Sequence, residues 1–344
     1  MSQYNDQAEA PAQALTTRAK SHTRTRIVHR LALAQAVLLV VAVVVALPFA
    51  IQSMNTTLWD RQARTLYSFP DGQPIPASAE DLSDAEVSFL NIAVVDIDES
   101  AASVTLAVSG HRICQDLCPR IELTLVSLAD DAQVRRALPP SAGITLLPDE
   151  ITFTHTVELP IRGQPSLYPF DDYELWLGLA GTVEEAGSSV RLTDALLADH
   201  AIISTQNQLR EYVMHDPERI DPDRVRAAND PYEFIGVQRL RFDRPAHLEI
   251  LTVLLVLLIA ASAIVAVAMR QMSDLAFGIG SLILAIWGVR SVLVPSPLPV
   301  VTSVDLALSI VILCVLLGLT IRAVHYFRQG SDLPSFAPFG RRRE

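Results

Sequence analysis

The run ILTVLLVLLIAASAIVAVAM, Ile250–Met269, contains no charged residue over 20 positions. A helix needs about 20 apolar residues to cross a bilayer. A helix of this length in the core of a soluble protein keeps a polar face, which this run lacks. The run therefore predicts a membrane-spanning helix.

Three further apolar runs have a similar length and cover residues 31–51, 275–294 and 300–321. We therefore expect four transmembrane helices, with the run 250–269 as the second. A cleaved signal peptide is the alternative interpretation of the first run. That run is longer than the roughly 7–15 apolar residues of a signal-peptide core, which favours an uncleaved anchor.

Charge is segregated from these apolar runs. The 344-residue chain is 50% hydrophobic and only 19% charged, yet its net charge is −11. Residues 55–245 hold 31 Asp and Glu against 15 Arg, a net charge of −16. This pattern predicts an acidic, water-facing domain, and it argues against nucleic acid as a partner because phosphate binding needs a basic face.

Arginine and lysine beside the spans predict the orientation, since such residues are enriched on the cytoplasmic side. The flanking basic residues are Arg18, Lys20, Arg24, Arg26, Arg30, Arg270, Arg322, Arg328, Arg341, Arg342 and Arg343. All of them fall on one side of a four-span chain whose N-terminus is cytoplasmic. We expect a disordered cytoplasmic tail at 1–23, an extracytoplasmic domain at 55–245 and a cytoplasmic tail at 322–344.

The outer domain has the pattern of β-structure. Short runs rich in β-branched and apolar residues are separated by Gly, Pro, Asp and Ser, which is typical of strands and turns. These runs cover residues 89–97, 102–108, 121–126, 151–159, 173–179 and 237–242. We predict an antiparallel β-sandwich, interrupted at 208–235, where repeated Asp-Pro pairs disfavour a strand.

Two cysteines of this domain, Cys114 and Cys118, are only four residues apart. In an oxidising compartment this spacing favours a local disulfide. Free thiols and a metal site are the alternatives, although the neighbourhood supplies only His111 as a further ligand.

The string LYPFDDY, Leu167–Tyr173, is the most distinctive motif. Pro169 favours an extended backbone at Tyr168, Asp171 can cap the turn, and Phe170 offers an apolar anchor. The structural interpretation is a loop held in place before a strand. The functional hypothesis is an interdomain loop that faces the membrane-spanning part.

This motif, together with the segment Ala285–Pro295 and the order of spans, resembles a bacterial membrane-protein family catalogued as domain of unknown function 4436. The resemblance covers roughly residues 85–320. It implies an outer β-rich domain with one span before it and several after it, in a bacterial plasma membrane. The family has no agreed activity, so the resemblance implies architecture alone.

Tyr-Pro-Phe-Asp is also similar to the loop that couples the outer β-sandwich to the pore in pentameric ligand-gated channels. Those channels have four spans after the sandwich and none before it, whereas this chain has three after and one before. Cys114 and Cys118 also fail to bracket the motif as the channel cysteines do.

Two charges lie within the last two apolar runs. Arg290 and Asp305 are at nearly equal distances from Pro297 in the proline-rich link between the runs. A tight antiparallel hairpin predicts an ion pair near the outer face, where pairing relieves the cost of a charge in the bilayer. Separate snorkelling to the surface, or an anion or headgroup contact at Arg290, are the alternatives.

No nucleophile elbow, phosphate-binding loop or His-Glu metal motif occurs, so we predict no catalytic role, cofactor or metal. The leading hypothesis is a membrane-anchored binding or scaffolding protein of the bacterial cell envelope. Its outer domain contacts another envelope protein, lipid or polysaccharide, and oligomers are compatible with it. The alternative is a subunit of a channel or transporter with the β-domain as sensor.

Overall fold

The computed structural model describes residues 65–69, 71–76, 87–114, 117–128, 138–185, 188–193, 201–209, 211–225, 232–269 and 301–330, together with most positions of 37–55 and eight positions between 280 and 291. The predicted tail at 1–23 lies outside these residues, and so does the predicted tail at 322–344 from residue 331 onward. The chain divides into two compact units. One comprises Pro48–Leu251 with Val294–Ser303, and the other comprises Met1–Leu47, Thr252–Leu293 and Val304–Glu344.

The first unit is β-rich, as the sequence predicts, and has two sheets. The first sheet contains β1 (Leu66–Ser68), β2 (Pro74–Ile75), β3 (Ser88–Asp98), β4 (Ser103–His111), β7 (Thr152–Pro160) and β11 (Ala201–Asn207). The second contains β5 (Arg120–Ser127), β6 (Ser141–Leu146), β8 (Arg162–Gly163), β9 (Asp172–Glu185), β10 (Ser188–Arg191), β12 (Val213–Met214), β13 (Glu218–Ile220) and β14 (Phe234–Asp243). All six predicted strands are present.

Alternation of side chains builds the core between the sheets. In β4, Val104, Leu106 and Val108 are fully buried, and they share one cluster with Leu175 and Leu177 of β9. Successive side chains of a strand point to opposite faces, so every second residue enters the core. The same alternation occurs along β7, where the apolar positions are the less exposed ones.

One pair of strands departs from the predicted antiparallel arrangement. β11 pairs with β3 in parallel, with Ile203 opposite Leu90, while the other pairs are antiparallel among the described strands. A parallel pair needs a long crossover connection, and here more than a hundred residues separate the two strands. The first sheet is therefore mixed, and the prediction of a purely antiparallel sandwich is wrong at this pair.

Part of the predicted excursion at 208–235 is described. It contains β12, β13 and a four-residue helix, Pro222–Val225. Asp-Pro pairs interrupt strand pairing because proline has no N–H to donate. These short elements agree with the expectation that this stretch does not continue a long strand.

Two helices have the length and composition of a membrane span. They are Ala246–Met269 and Ser303–Gly330, with span-like segments at Ala246–Ile264 and Ser303–Val324. A shorter apolar helix covers Val43–Gln52 at the end of the first predicted run. Most of the rest of that run and most of the run 275–294 fall outside the described residues, so two of the four predicted spans are supported.

Candidate functional site

The loop Leu167–Tyr173 leads from a short 3-10 helix, Pro165–Leu167, into β9. The Tyr168–Pro169 peptide bond is cis. Phe170 is 49% exposed, whereas Asp171 is 2% exposed. The anchor of this loop within the β-rich unit is therefore Asp171, and the predicted apolar anchor Phe170 remains at the surface of that unit.

Asp171 pairs with Arg244, which follows β14 and precedes the helix Ala246–Met269. The Arg244 Nε lies 3.2 Å from Asp171 Oδ2, and its Nη2 contacts Glu99 Oε1. The side chains of Arg244 and Asp171 are almost completely buried. A third carboxylate, that of Glu211, is 3.7 Å away but exposed to solvent. One buried guanidinium thus forms ion pairs with the carboxylates of Asp171 and Glu99.

Aromatic rings enclose this ion cluster. The Arg244 guanidinium lies 4.3 Å from the ring centroid of Tyr212 and 5.0 Å from that of Tyr168. The Tyr212 hydroxyl donates to Glu99 Oε1 at 2.6 Å, and its ring packs edge-on against Tyr173 at 5.4 Å. Cation–π contacts gain strength when they are desolvated, so these rings stabilise the buried charge.

Electrostatics keep the Arg244 guanidinium charged and the phenols of Tyr173 and Tyr212 neutral. Burial alone lowers the pKa of Arg244, but Tyr212, Asp171 and Glu99 together raise it. Burial raises the pKa of Tyr212, and the hydrogen bond to Glu99 raises it further. Burial, followed by the charges of Asp171 and Glu99, also raises the pKa of Tyr173.

These raised phenol pKa values predict a loss of stability at alkaline pH. A phenol has an ordinary pKa of about 10. Since the folded state prefers protonated Tyr173 and Tyr212, their contribution is complete below pH about 10 and falls as the pH rises above it. We expect the folded chain to show less tyrosinate absorbance at pH about 11 than the unfolded chain.

Tyr212→Phe is the matched variant for that titration. It should reduce the difference in tyrosinate absorbance between folded and unfolded chains. Equal absorbance of the folded and unfolded wild-type chains across this pH range would contradict the prediction.

Sequence reasoning singled out Asp171 but missed Arg244, Glu99 and Tyr212. Arg244 carries a detectable signal, because an arginine beside the outer end of a predicted span runs against the positive-inside rule. The ion pair with the buried Asp171 carboxylate accounts for the position of Arg244. Nothing in the local sequence marks Glu99 or Tyr212.

The predicted disulfide joins Cys114 and Cys118 at the other end of the β-rich unit. Beside it, Arg112 is 6% exposed and its guanidinium bonds main-chain oxygens. Nη1 donates to Leu147 O at 2.9 Å, and Nη2 donates to Pro119 O. Arg112 thus fastens the cysteine-containing loop to the loop that precedes β7.

A cavity of about 350 Å³ lies at this end of the core, beside the disulfide. Both sheets line it, mainly with apolar side chains. They include Leu90, Leu123, Leu146, Phe153, Ile203 and Ile235. Pockets for small ligands have volumes of about 300–1,000 Å³ and mostly apolar walls, so this cavity is the candidate binding site.

The cavity and the Arg244 cluster lie at opposite ends of β14. That strand starts beside the cavity at Ile235 and ends at Asp243, next to Arg244. At about 3.3 Å per residue the two sites are roughly 30 Å apart. The candidate binding site is therefore remote from the point where the chain enters the helix Ala246–Met269.

In the second unit, the structure brings Arg290 and Asp305 together. Arg290 Nε contacts Asp305 Oδ1, and Nη2 donates to Oδ2 at 3.3 Å. The Asp305 side chain is 14% exposed and that of Arg290 is 39% exposed. The two charges thus form the ion pair that their spacing about Pro297 predicts.

Among the described residues, no group of three His, Cys, Asp or Glu is placed to hold a metal ion.

A scan against models of known protein families and a search of curated proteins found no match to this chain. The resemblance to the family catalogued as domain of unknown function 4436 therefore stays a prediction.

Proposed function

We propose that this chain is a binding protein of the bacterial cell envelope, anchored in the plasma membrane, whose extracytoplasmic β-domain takes an apolar ligand. The cavity between the sheets is the observation that carries the proposal, because its walls come from the buried faces of both sheets. A ligand there gains from removing apolar surface from water, about 25 cal/mol per Å². Of the predicted partners, lipid fits such walls best, since a polysaccharide needs many polar contacts.

Membrane anchoring through four spans is part of this proposal. Two described helices have the required length and composition, and the basic flanks assign both termini to the cytoplasm. The family resemblance supports a similar arrangement, with one span before the β-domain and several after it. In this arrangement the spans hold the binding domain at the outer surface of the membrane.

The orientation predicts reporter activity at two positions. A reporter fused after Arg322, which follows the predicted span 300–321, should be active only in the cytoplasm. A fusion near Ser188, where β10 begins, should be active only outside. A cytoplasmic signal at Ser188 would contradict the assigned compartment.

Cavity binding predicts specific labelling by a neutral photoreactive probe, dodecanol that carries a diazirine in its chain. In the full-length protein in lipid nanodiscs, adducts should form on the cavity walls as well as on membrane helices. Ala201→Leu fills part of the cavity from β11 and should reduce cavity adducts about tenfold, the equivalent of about 1.4 kcal/mol.

The matched control for this variant is Ala107→Leu. Ala107 lies on β4 between the core residues Leu106 and Val108, so its side chain points away from the core and does not line the cavity. This variant should label like wild type. Adducts confined to membrane helices in the wild-type protein would contradict the proposed site.

The second candidate function is a subunit of a channel or transporter. The Arg290–Asp305 pair favours it, because ionisable residues within a bilayer often line ion or proton paths. The described part of the helix Ala246–Met269 supplies few polar groups, and its Ser262 hydroxyl bonds the Ile259 carbonyl of the same helix at 2.8 Å. A conduction path needs more polar groups than this, which favours the binding protein.

A further inference from the structure

The walls of the cavity are apolar except at one edge. The polar side chains at this edge are those of Ser88, His111 and Arg112, where β3 begins and β4 ends. The Ser88 hydroxyl oxygen accepts a hydrogen bond from the Ile113 amide at 3.0 Å. An apolar chamber with one polar edge suits an amphiphile whose head binds at that edge.

Arg112 supplies a buried positive charge at this edge. Its described partners are the main-chain carbonyls of Leu147, Glu150 and Pro119. These contacts use three of the five N–H donors of a guanidinium and leave two. No carboxylate of the described residues lies within ion-pair distance of it.

The acidic side chain whose charge acts on Arg112 is that of Glu150, and its carboxylate oxygens contact other groups. Its Oε2 accepts the Leu147 amide at 3.2 Å, and its Oε1 lies 3.3 Å from His155 Nε2. Burial lowers the pKa of Arg112, and the charge of Glu150 offsets this only in part. A buried cation without a direct counter-ion is costly, and an anion at this edge relieves the cost.

We propose that the cavity binds a single-chain amphiphile with a singly charged anionic head, its chain between the sheets and its head against Arg112. This inference rests on the proposed function and names its ligand class. One negative charge matches the one guanidinium, whereas a phosphate monoester carries about 1.5–2 charges at neutral pH. A free fatty acid and a lysophospholipid with one net negative charge share this chemistry.

The test compares photoreactive probes with the same 12-carbon diazirine chain and different heads. Full-length protein in nanodiscs is labelled with dodecanoate, neutral dodecanol and a lysophosphatidylglycerol. Cavity adducts are divided by adducts on the membrane helices, which corrects for partition into the lipid. This ratio should be about tenfold higher for dodecanoate or for the lysophospholipid than for dodecanol. Whichever of these two anionic probes gives the higher ratio identifies the source of the ligand.

Arg112→Gln removes the positive charge at this edge and keeps an amide that can donate to the loop carbonyls. It should lower the ratio for the anionic probes severalfold and leave the ratio for dodecanol unchanged. Arg120→Gln, which changes an exposed arginine outside the cavity walls, is the matched control.

Equal ratios for dodecanol and both anions would overturn this inference while leaving the apolar site intact. Absence of cavity adducts with every probe would overturn the proposed function itself. An unchanged ratio for the anionic probes in Arg112→Gln would also overturn this inference, because the charge at the polar edge would then not bind the head.

Discussion

Replacing Arg244 with alanine should lower the free energy of unfolding of the β-rich domain by about 3–5 kcal/mol, the usual cost of removing one partner from a buried ion pair. The change leaves Asp171 and Glu99 buried without their cation. It also removes the group that the rings of Tyr168 and Tyr212 enclose. Urea unfolding of the full-length chain, followed by fluorescence of Trp176 in β9, measures the effect.

The matched control for this prediction is Arg241→Ala, because Arg241 is an exposed arginine of β14, the strand that Arg244 follows. Its loss should change stability by less than about 0.5 kcal/mol. The double variant Arg244→Ala with Asp171→Ala should lose less than the sum of the two single losses, since the residues interact directly. Additive losses, or equal effects at Arg244 and Arg241, would show that the cluster does not stabilise the domain.

Breaking the Arg290–Asp305 pair should have the second largest effect. Arg290→Ala leaves Asp305 without its partner, and Asp305→Ala does the same to Arg290. An unpaired charge costs roughly 2.5–3.5 kcal/mol at the centre of a bilayer and less toward its surface. Each single variant should therefore lower the membrane yield and the thermal stability of the full-length chain.

The exchanged pair, Arg290→Asp with Asp305→Arg, should recover part of that loss because it restores opposite charges at the same two positions. Ser291→Ala is the matched control, since the Ser291 hydroxyl bonds only the nearby Gly288 carbonyl among the described contacts. If the exchanged pair is no better than the worse single variant, the ion pair is not the reason for these residues.

The Arg244 cluster shows what a motif predicts and what it leaves out. Pro169 and Asp171 mark a loop before a strand, and the structure contains that loop. The partner of Asp171 is 73 residues away along the chain, and Glu99 is 145 residues from Arg244. Sequence patterns report neighbours within a turn or a strand, so they could not indicate that these three charges meet.

Local sequence patterns were sufficient to predict an element whose structure depends only on its own residues. The alternation along β7 and the uncharged run of Ile250–Met269 depend only on which residues occur at which spacing. A strand with one buried face needs period two, and a membrane span needs about 20 apolar residues. The spacing of Cys114 and Cys118 likewise indicates a link that a short loop can close.

The candidate binding site belongs to the tertiary structure alone. The parallel pairing of β3 with β11 places Ser88 beside Ala201, and the packing of the two sheets leaves the cavity between them. Arg112 gains its meaning from being buried at the edge of that cavity. By itself the sequence determined the β-rich class and the two apolar helices that are long enough to span a membrane, because these follow from local periodicity and length. Which strands became neighbours, and which charges were buried together, was decided only by contacts between residues far apart in the chain.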